Sequence, residues 1–582
     1  MASENKSGSK QWNGITGSEA LMHALIAEGV ETIFGYPGGQ IMPVFDKLYD
    51  FKHELNHILV RHEQGAIHAA QGYARVKGFP GVVIVTSGPG ATNVITGVAD
   101  AMVDSTPLVV ITGQVPSNLL GTDAFQETDV LGVTLPITKW SYQIRRPEDI
   151  AWAVARAFYI ASSGRPGPVV LDFTKDAQIG KIDFAYEKCN FIRSYIPKNE
   201  INKEQILSAA KLINGSKKPF VVYGQGITLS HAEEELKQFL NKAGIPAGST
   251  LLGLSALPSD FKHYKGMLGM HGNIGPNVKT NECDVLIAIG MRFDDRVTGP
   301  VSTYAKQAKI IHIDIDAAEI GKNVPVNIGI LGDAKEVLSQ LIEHIDENNH
   351  DSWENEFDKC YQIEKDRVID PEISPKSGYI NMGEVVHEIS EATGNNAIVV
   401  TDVGQNQMFG ARYSSFNKSR SLITSGGLGT MGFGLPAAIG AKIAAPERQV
   451  CFFVGDGGIQ MTIQEFGTIM QEKTGVKIII LNNSWLGNVR QWQEMFFGER
   501  YSETRLVNPD FIALAKAYGI AGRKVTCREE LKPAIDEMLA GDRPFVLDVN
   551  VVENGMVMPM IPPGKGVTEI MLNSKEWYDN GK

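Results

Sequence analysis

Asp456 and Asn483 stand just past the ends of two apolar runs, 450–454 and 476–481, in a chain of 582 residues. The first run stops at Gly455-Asp456-Gly457-Gly458 and the second at Asn482-Asn483, with 24 residues (458–481) between Gly457 and Asn482. Each run has the length and composition of a buried parallel strand, and the stretch between them is long enough for a crossover helix. Neighbouring strands would bring the carboxylate and the amide side by side at the edge where open α/β sheets bind ligands. Their oxygens suit Mg²⁺ or Ca²⁺, and Mg²⁺ is commonly shared between a few protein oxygens and phosphates. Gly457 and Gly458 carry no Cβ, so backbone N–H groups of the next helix can approach a phosphate closely. A tight turn with a capping Asp would explain the first signal alone. The second signal, at this distance and at a strand end, favours the metal–phosphate reading.

Other residues could do chemistry. Glu63 follows an apolar run and opens a helical stretch of small residues (Gly65, Ala66, Ala69, Ala70, Gly72), where an acid also simply complements the helix dipole. FGYPGG at 34–39 can expose a set of N–H groups, and the polar loop 121–129 carries two unexpected members, Phe125 and Gln126. Lys175 ends a strand-like run, where a solvated lysine is ordinary. GMRFDDRVTG, 290–299, concentrates Arg292 and Arg296 with two acids just past a buried run; a structural ion-pair cluster is the plainer alternative to a site. Gly224-Gln225-Gly226, Asp314 and Asp316 invite a nucleotide, although such strand-end residues are common in α/β folds. Gly427-x-Gly429-x-x-Gly432 has the form of a dinucleotide fingerprint. The run before it is short and polar, which argues against a nicotinamide-dependent oxidoreductase.

Positioning these residues calls for an α/β chain of three doubly wound parallel-sheet domains, because strand and helix patterns alternate throughout. The expected units are 14–180, 204–345 and 379–560, followed by a tail, 561–582. Two polar, irregular stretches, 179–203 and 346–378, read as linkers. Strand, SGPG, helix and strand near 81–114 echo strand, GDGG, helix and strand near 450–483, which suggests two copies of one fold. A net charge of −12 argues against nucleic acid as a partner. Five scattered cysteines fit a reducing compartment. No apolar run approaches the ~18 residues that a membrane span needs. The N-terminus has no apolar core of a signal peptide and no arginines of a transit peptide, so the expected location is cytoplasmic.

The G-D-G and N-N pair resembles the thiamine diphosphate motif of thiamine-dependent decarboxylases and carboligases. That likeness implies Mg²⁺ held by Asp456, Asn483 and the Trp485 carbonyl, with Gly457, Gly458, Gly404, Gln405 and Asn406 around the diphosphate. RHEQGA at 61–66 is similar to the stretch whose Glu bonds the cofactor's aminopyrimidine, which makes Glu63 the general acid/base. AFQE, RFDDRVTG and SGGLGTMG-x-GLPAAIGA resemble biosynthetic, FAD-containing acetohydroxyacid synthases, and the likeness extends over about 14–573. It implies roles near the reacting carbon for Gly39, Gln126, Phe125 and Lys175, and thiamine contacts for Gly429 and Met431. Arg296 would bind the carboxylate of the acceptor 2-oxo acid and Trp492 would narrow its pocket. A structural FAD would lie by Arg292, Gly224, Asp314 and Asp333. A homodimer or dimer of dimers, a small regulatory subunit and, in the Met- and Pro-rich stretch 554–566, a C-terminal flap over the site are implied as well. The chain departs from the family at Asn406, Gly458 and Asn488, where a His, a Ser and a Met are usual.

Overall fold

The computed structural model describes residues 2–4, 10–198 and 200–576. Three six-stranded sheets organise these residues, and every strand pairing within them is parallel. The first sheet uses Thr32–Gly35, Asn56–Leu59, Gly81–Val85, Leu108–Gln114, Trp140–Ile144 and Pro168–Thr174. The third uses Ile398–Thr401, Leu422–Ile423, Val450–Gly455, Val476–Asn482, Ala521–Val525 and Phe545–Asn550. Numbered along the chain within each sheet, both run 2-1-3-4-6-5 in space. Identical order is what a duplicated unit has.

The central sheet (Pro219–Tyr223, Ala247–Ser249, Tyr264–Met267, Val285–Ile289, Lys309–Asp314, Ile328–Leu331) runs 3-2-1-4-5-6 instead. That is the order of dinucleotide-binding folds, whose ligand crosses the gap between the first and fourth strands. Buried Val, Ile and Phe fill all three sheets because helices cover both faces.

Both stretches read as linkers contain regular structure. Lys181–Ala185 is a strand, paired antiparallel with Lys10–Thr16. Asp351–Glu364 is a helix, continued by a π-helical turn at Lys365–Ile369. Its charges hid an inward stripe: Trp353 and Phe357 are buried, and the Trp353 indole donates to the Pro219 carbonyl (2.9 Å). Gln405 and Asn406 begin the helix Gln405–Tyr413, after Gly404 at φ 136°.

The first and third domains meet through the helices Glu63–Lys77 and Gly434–Ala444. Their small residues let the backbones touch. A Cβ on Gly72 would overlap the Ala437 carbonyl oxygen, and one on Gly440 would overlap the Ala69 carbonyl oxygen. The Gly440→Ala variant should therefore unfold at lower urea, by about 2 kcal/mol or more, although alanine favours helix by about 1 kcal/mol. Gly541→Ala, where a Cβ meets nothing within 4 Å, should leave the midpoint unchanged. Equal midpoints for the two variants would refute this contact.

Candidate active site at the strand ends

The strands Val450–Gly455 and Val476–Asn482 are parallel neighbours, with Gly455 opposite Leu481. Asp456 and Asn483 follow them directly. Asp456 Oδ2 accepts from Asn508 Nδ2 (2.6 Å), whereas Oδ1 is buried with no hydrogen-bond partner. Burial pushes this carboxyl up to about 6, a cost that a cation at Oδ1 would remove. Asn483 Oδ1 accepts from the Trp485 amide (3.1 Å), and its Nδ2 donates to Gln405 Oε1 (3.4 Å). Gln405 is fixed in turn by donating to Gln491 Oε1 (3.0 Å) and to the Gly555 carbonyl (2.9 Å). Among the described residues no three His, Cys, Asp or Glu side chains are placed to hold a metal. A cation here would need amide, backbone and phosphate oxygens beside one carboxylate, the usual surroundings of Mg²⁺. The residues present fit that ion.

Gly457 and Gly458 leave little room. A Cβ on Gly457 would lie 2.7 Å from Leu486, and one on Gly458 would lie 3.1 Å from Asp402 Oδ1. Asn406 spends its amide nitrogen on the carbonyls of Asp402 (2.8 Å) and Phe453 (3.2 Å), stitching two strand ends together.

The glycine-rich segment 425–432 is held by carboxylates. Asp104 accepts from the amides of Gly426 (2.9 Å) and Gly427 (2.7 Å) and from Arg75 Nη2 (2.9 Å). Its carboxyl is raised by burial and pulled down by Arg75. Asp100 Oδ1 accepts from the hydroxyls of Ser425 and Thr430. Asp402 accepts from the amides of Val403 (2.7 Å), Gly432 (3.0 Å) and Gly434 (3.1 Å). Gly429 and Gly432 take φ of 72° and 86°, a left-handed backbone that favours glycine, and Met431 between them is half-buried.

A cavity of about 1020 Å³ opens at the carboxyl edge of the central sheet. Gly224, Gly290, Arg292, Arg296, Asp314 and Asp333 line it, and it reaches Ser425–Gly429, Asn488 and Trp492 of the third domain. The first and fourth strands meet there without side chains: a Cβ on Gly290 would lie 2.6 Å from the Gly226 Cα. Desolvation pushes Asp314 up to about 6. Asp333 also caps the helix Ala334–His344, accepting from the Lys335 and Glu336 amides. The arginine–aspartate stretch 290–299 holds one exposed ion pair, Arg296 with Asp295. Asp294 caps the next turn through the Arg296 amide (3.0 Å), and the Arg296 side chain is 63% exposed with Asp295 at 3.8 Å. Size, strand order and glycine contacts fit a dinucleotide.

Glu63, Gly39, Gln126 and Lys175 are absent from the lining of that cavity and gather at the carboxyl edge of the first sheet. Glu63 Oε2 accepts from Asn93 Nδ2 (2.9 Å), and Lys175 Nζ donates to the Gly39 carbonyl (3.4 Å). Gln126 takes φ 62° against Gly88, and Phe125 is 84% exposed. The helix bearing Glu63 is held by Glu465, which accepts from the Arg61 amide (3.0 Å) against the bare face of Gly65.

Three family models of thiamine pyrophosphate enzymes match this chain: the N-terminal TPP binding domain at 15–133, the central domain at 206–341 and the C-terminal TPP binding domain at 402–549. The probable acetolactate synthase large subunit of Methanocaldococcus jannaschii is 46% identical, over 95% of both chains. The Escherichia coli K12 acetolactate synthase isozyme 2 large subunit is 44% identical, over 96% of this chain and 99% of its own. That of Corynebacterium glutamicum is 43% identical, over 97% and 92%. The chain belongs to the acetolactate synthase large-subunit family of thiamine pyrophosphate enzymes.

Within this acetolactate synthase family member, several positioning residues gave little sign in the sequence. Asp100 and Asp104, four apart in an apolar helical stretch, are the acids that hold 425–430. Asp402, after the apolar run 397–400, and Asn508 looked like ordinary loop residues. Trp492 is half-buried beside Phe496 (ring centroids 5.3 Å apart) and packs with Met270, Met495, Met556, Met558, Met560 and Met571. Three of those methionines belong to the expected 554–566 flap segment. Among the described residues no helix is long and apolar enough to cross a membrane.

Burial pushes the Asp402 carboxyl from 3.8 up to about 6. The folded state then binds this proton more tightly than the unfolded chain does, so the group's contribution to stability falls as pH rises from about 4 to 6. Asp402→Asn leaves an amide nitrogen facing backbone donors, at about 1–3 kcal/mol. Thermal midpoints should show the unsubstituted chain ahead of the variant, by more at pH 4.5 than at pH 7. A lead that grows with pH would refute it.

Proposed function

We propose that this chain is the catalytic subunit of an acetolactate synthase. It condenses pyruvate with a second 2-oxo acid, pyruvate or 2-oxobutanoate. The products are CO₂ and 2-acetolactate or 2-aceto-2-hydroxybutanoate, on the route to valine, leucine and isoleucine. The observation that carries this reading is the strand-end pair Asp456 and Asn483, with the buried, unpartnered Asp456 Oδ1, in a chain whose relatives bear that name. Mg²⁺ would be held by Asp456, Asn483 and the Trp485 carbonyl, with Gly404, Gln405, Gly457 and Gly458 facing the diphosphate. When bound, thiamine diphosphate supplies a carbon that adds to the pyruvate carbonyl and holds the electrons released as CO₂ leaves. The overall reaction takes up one proton and transfers no net electrons, so FAD in the central cavity, beside Gly224, Arg292, Asp314 and Asp333, would serve structure.

The chain's own residues divide the remaining work. Glu63 would hold and return a proton at the aminopyrimidine ring. Arg296 projects an exposed guanidinium whose fork suits the carboxylate of the acceptor. Trp492 and Asn488 would wall the acceptor's alkyl group, while Gly429 and Met431 support the cofactor. Gly39, Phe125, Gln126 and Lys175 share the carboxyl edge of the first sheet with Glu63. We infer that they meet the Asp456 site of a second copy, as a homodimer or dimer of dimers, and an 84% exposed Phe125 supports this. The relatives' name "large subunit" supports a small regulatory partner, and five free thiols suit the cytoplasm.

With pyruvate, thiamine diphosphate and Mg²⁺, the purified chain should form acetolactate without consuming oxygen or phosphate. Glu63→Gln should lower kcat by about 10²-fold or more while thiamine diphosphate still binds. An unchanged kcat would remove Glu63 from its role, and oxygen or phosphate consumption would point to another thiamine reaction.

A further inference from the structure

The loop 121–129, which carries Phe125 and Gln126, follows the strand Leu108–Gln114 and keeps part of its shape by itself. Glu127 accepts from the amides of Gly121 and Ala124, and Asp129 caps the next helix by accepting from the Gly132 amide (3.0 Å). Asp123 and Gln126 take φ of 57° and 62°, a left-handed backbone that residues with a Cβ hold only where their surroundings fix it. The sheet supplies a tie. Gln114, buried at the strand end, donates through Nε2 to the carbonyl of Thr128 (2.9 Å), just past Gln126. On its other side the Gln126 backbone rests on Gly88, where a Cβ would lie 2.9 Å from the Gln126 carbonyl oxygen. Gly88 belongs to the turn whose Gly90 lies beside Glu63.

Asp172 sets the direction of the Gln114 amide. It is fully buried on the neighbouring strand Pro168–Thr174 and accepts from Gln114 Nε2 (3.1 Å), Thr112 Oγ1 (2.8 Å) and Gln143 Nε2 (2.8 Å). Burial pushes its carboxyl up to about 6, and above that pH it offers acceptors alone. Gln114 Oε1 is turned the other way and accepts from the Val115 amide (2.8 Å). The second hydrogen on Nε2 is thereby left for Thr128; a flipped amide would set its oxygen against both the carboxylate and the carbonyl. We propose that Gln114 is a positioning residue for the condensation, fixing the loop so that the Gln126 amide is aimed at the reacting carbonyl group. The proposal rests on the place given to Gln126 under Proposed function. An amide N–H suits an oxygen on which negative charge grows, and it helps most when held in place before the charge develops.

The test uses the full chain. In Gln114→Met, freed of cofactors, the amides of 121–128 should exchange with deuterated water about five-fold faster or more, while those of the helix Glu63–Lys77 keep their rates. With thiamine diphosphate and Mg²⁺, kcat for acetolactate formation should fall about ten-fold or more, with the pyruvate KM and the thiamine diphosphate Kd unchanged. Gln126→Ala should lower kcat too, and adding Gln114→Met to it should cost nothing further, because both act through one group. A general loss of stability would add instead. If Gln114→Met does not fold, Gln114→Asn should give the same results by smaller factors, since its shorter amide still reaches Asp172 but not Thr128 as well. Unchanged exchange in 121–128, or an unchanged kcat, in the folded variant would overturn the role of Gln114, and additive losses would overturn its route through Gln126. An unchanged kcat in Gln126→Ala, with exchange still raised in Gln114→Met, would overturn the role given to Gln126 and the proposal with it.

Discussion

Buried carboxylates that accept backbone amides set the geometry of the irregular segments in this protein. A carboxylate removed from water is costly unless directed donors surround it, so each such group fixes the loop that supplies them. Asp104 reaches from the first domain to Gly426 and Gly427 of the third, and Glu465 reaches back from the third to the Arg61 amide of the first. Asp402 binds Gly432 and Gly434 within the third domain. The result is a reciprocal brace: the segment preceding Gly429 depends on one domain, and the helix bearing Glu63 on the other. Neither can shift alone without leaving a buried charge unpaired.

That brace works only where chains come closer than side chains allow. Gly72 and Gly440 bring two helices into backbone contact, Gly65 admits the Glu465 carboxylate, and Gly226 and Gly290 join the first and fourth strands of the central sheet. The first two contacts fix the relation between the first and third domains. The last opens the cavity at the place where the strand order of the sheet reverses. Removing side chains thus provides, in one region, a rigid joint and, in another, room for a ligand.

The sequence revealed what local chemistry determines. Apolar runs ending in glycine and a polar residue marked Val450–Gly455, Val476–Asn482 and their counterparts as strands, and the distance from Asp456 to Asn483 suited adjacent parallel strands. Strand order was not legible, because pairing partners far apart in the chain leave no mark on either run. The helix Asp351–Glu364 escaped notice because two aromatic anchors, Trp353 and Phe357, suffice to bury one face of an otherwise charged segment. Asp100 and Asp104 carried no motif, because the residues of 425–430 that they hold lie more than 320 residues away. For Arg292 and Arg296 the sequence left an ion-pair cluster and a site open; the structure gives Asp294 to a cap and leaves Arg296 one exposed ion pair, with Asp295. Motifs carry the reacting groups, whereas the groups that aim them are scattered.

The two sheets of identical order show why duplication serves this chemistry. In the third domain the ends of the third and fourth strands present Asp456 and Asn483, a set for a divalent cation. In the first domain the third strand, Gly81–Val85, ends instead at Thr86-Ser87-Gly88, neutral residues beside Glu63; a Cβ on Gly90 would lie 2.7 Å from Thr86 and 3.4 Å from Glu63 Oε1. A carboxyl that must gain and lose a proton cannot share a site with Mg²⁺, which would bind it and hold it deprotonated. A metal anchor, conversely, needs a carboxylate that never carries the proton. In the roles proposed above, placing each acid at the same edge of a separate copy of one sheet would let both be tuned without compromise, and a second copy of the chain would bring the two edges together.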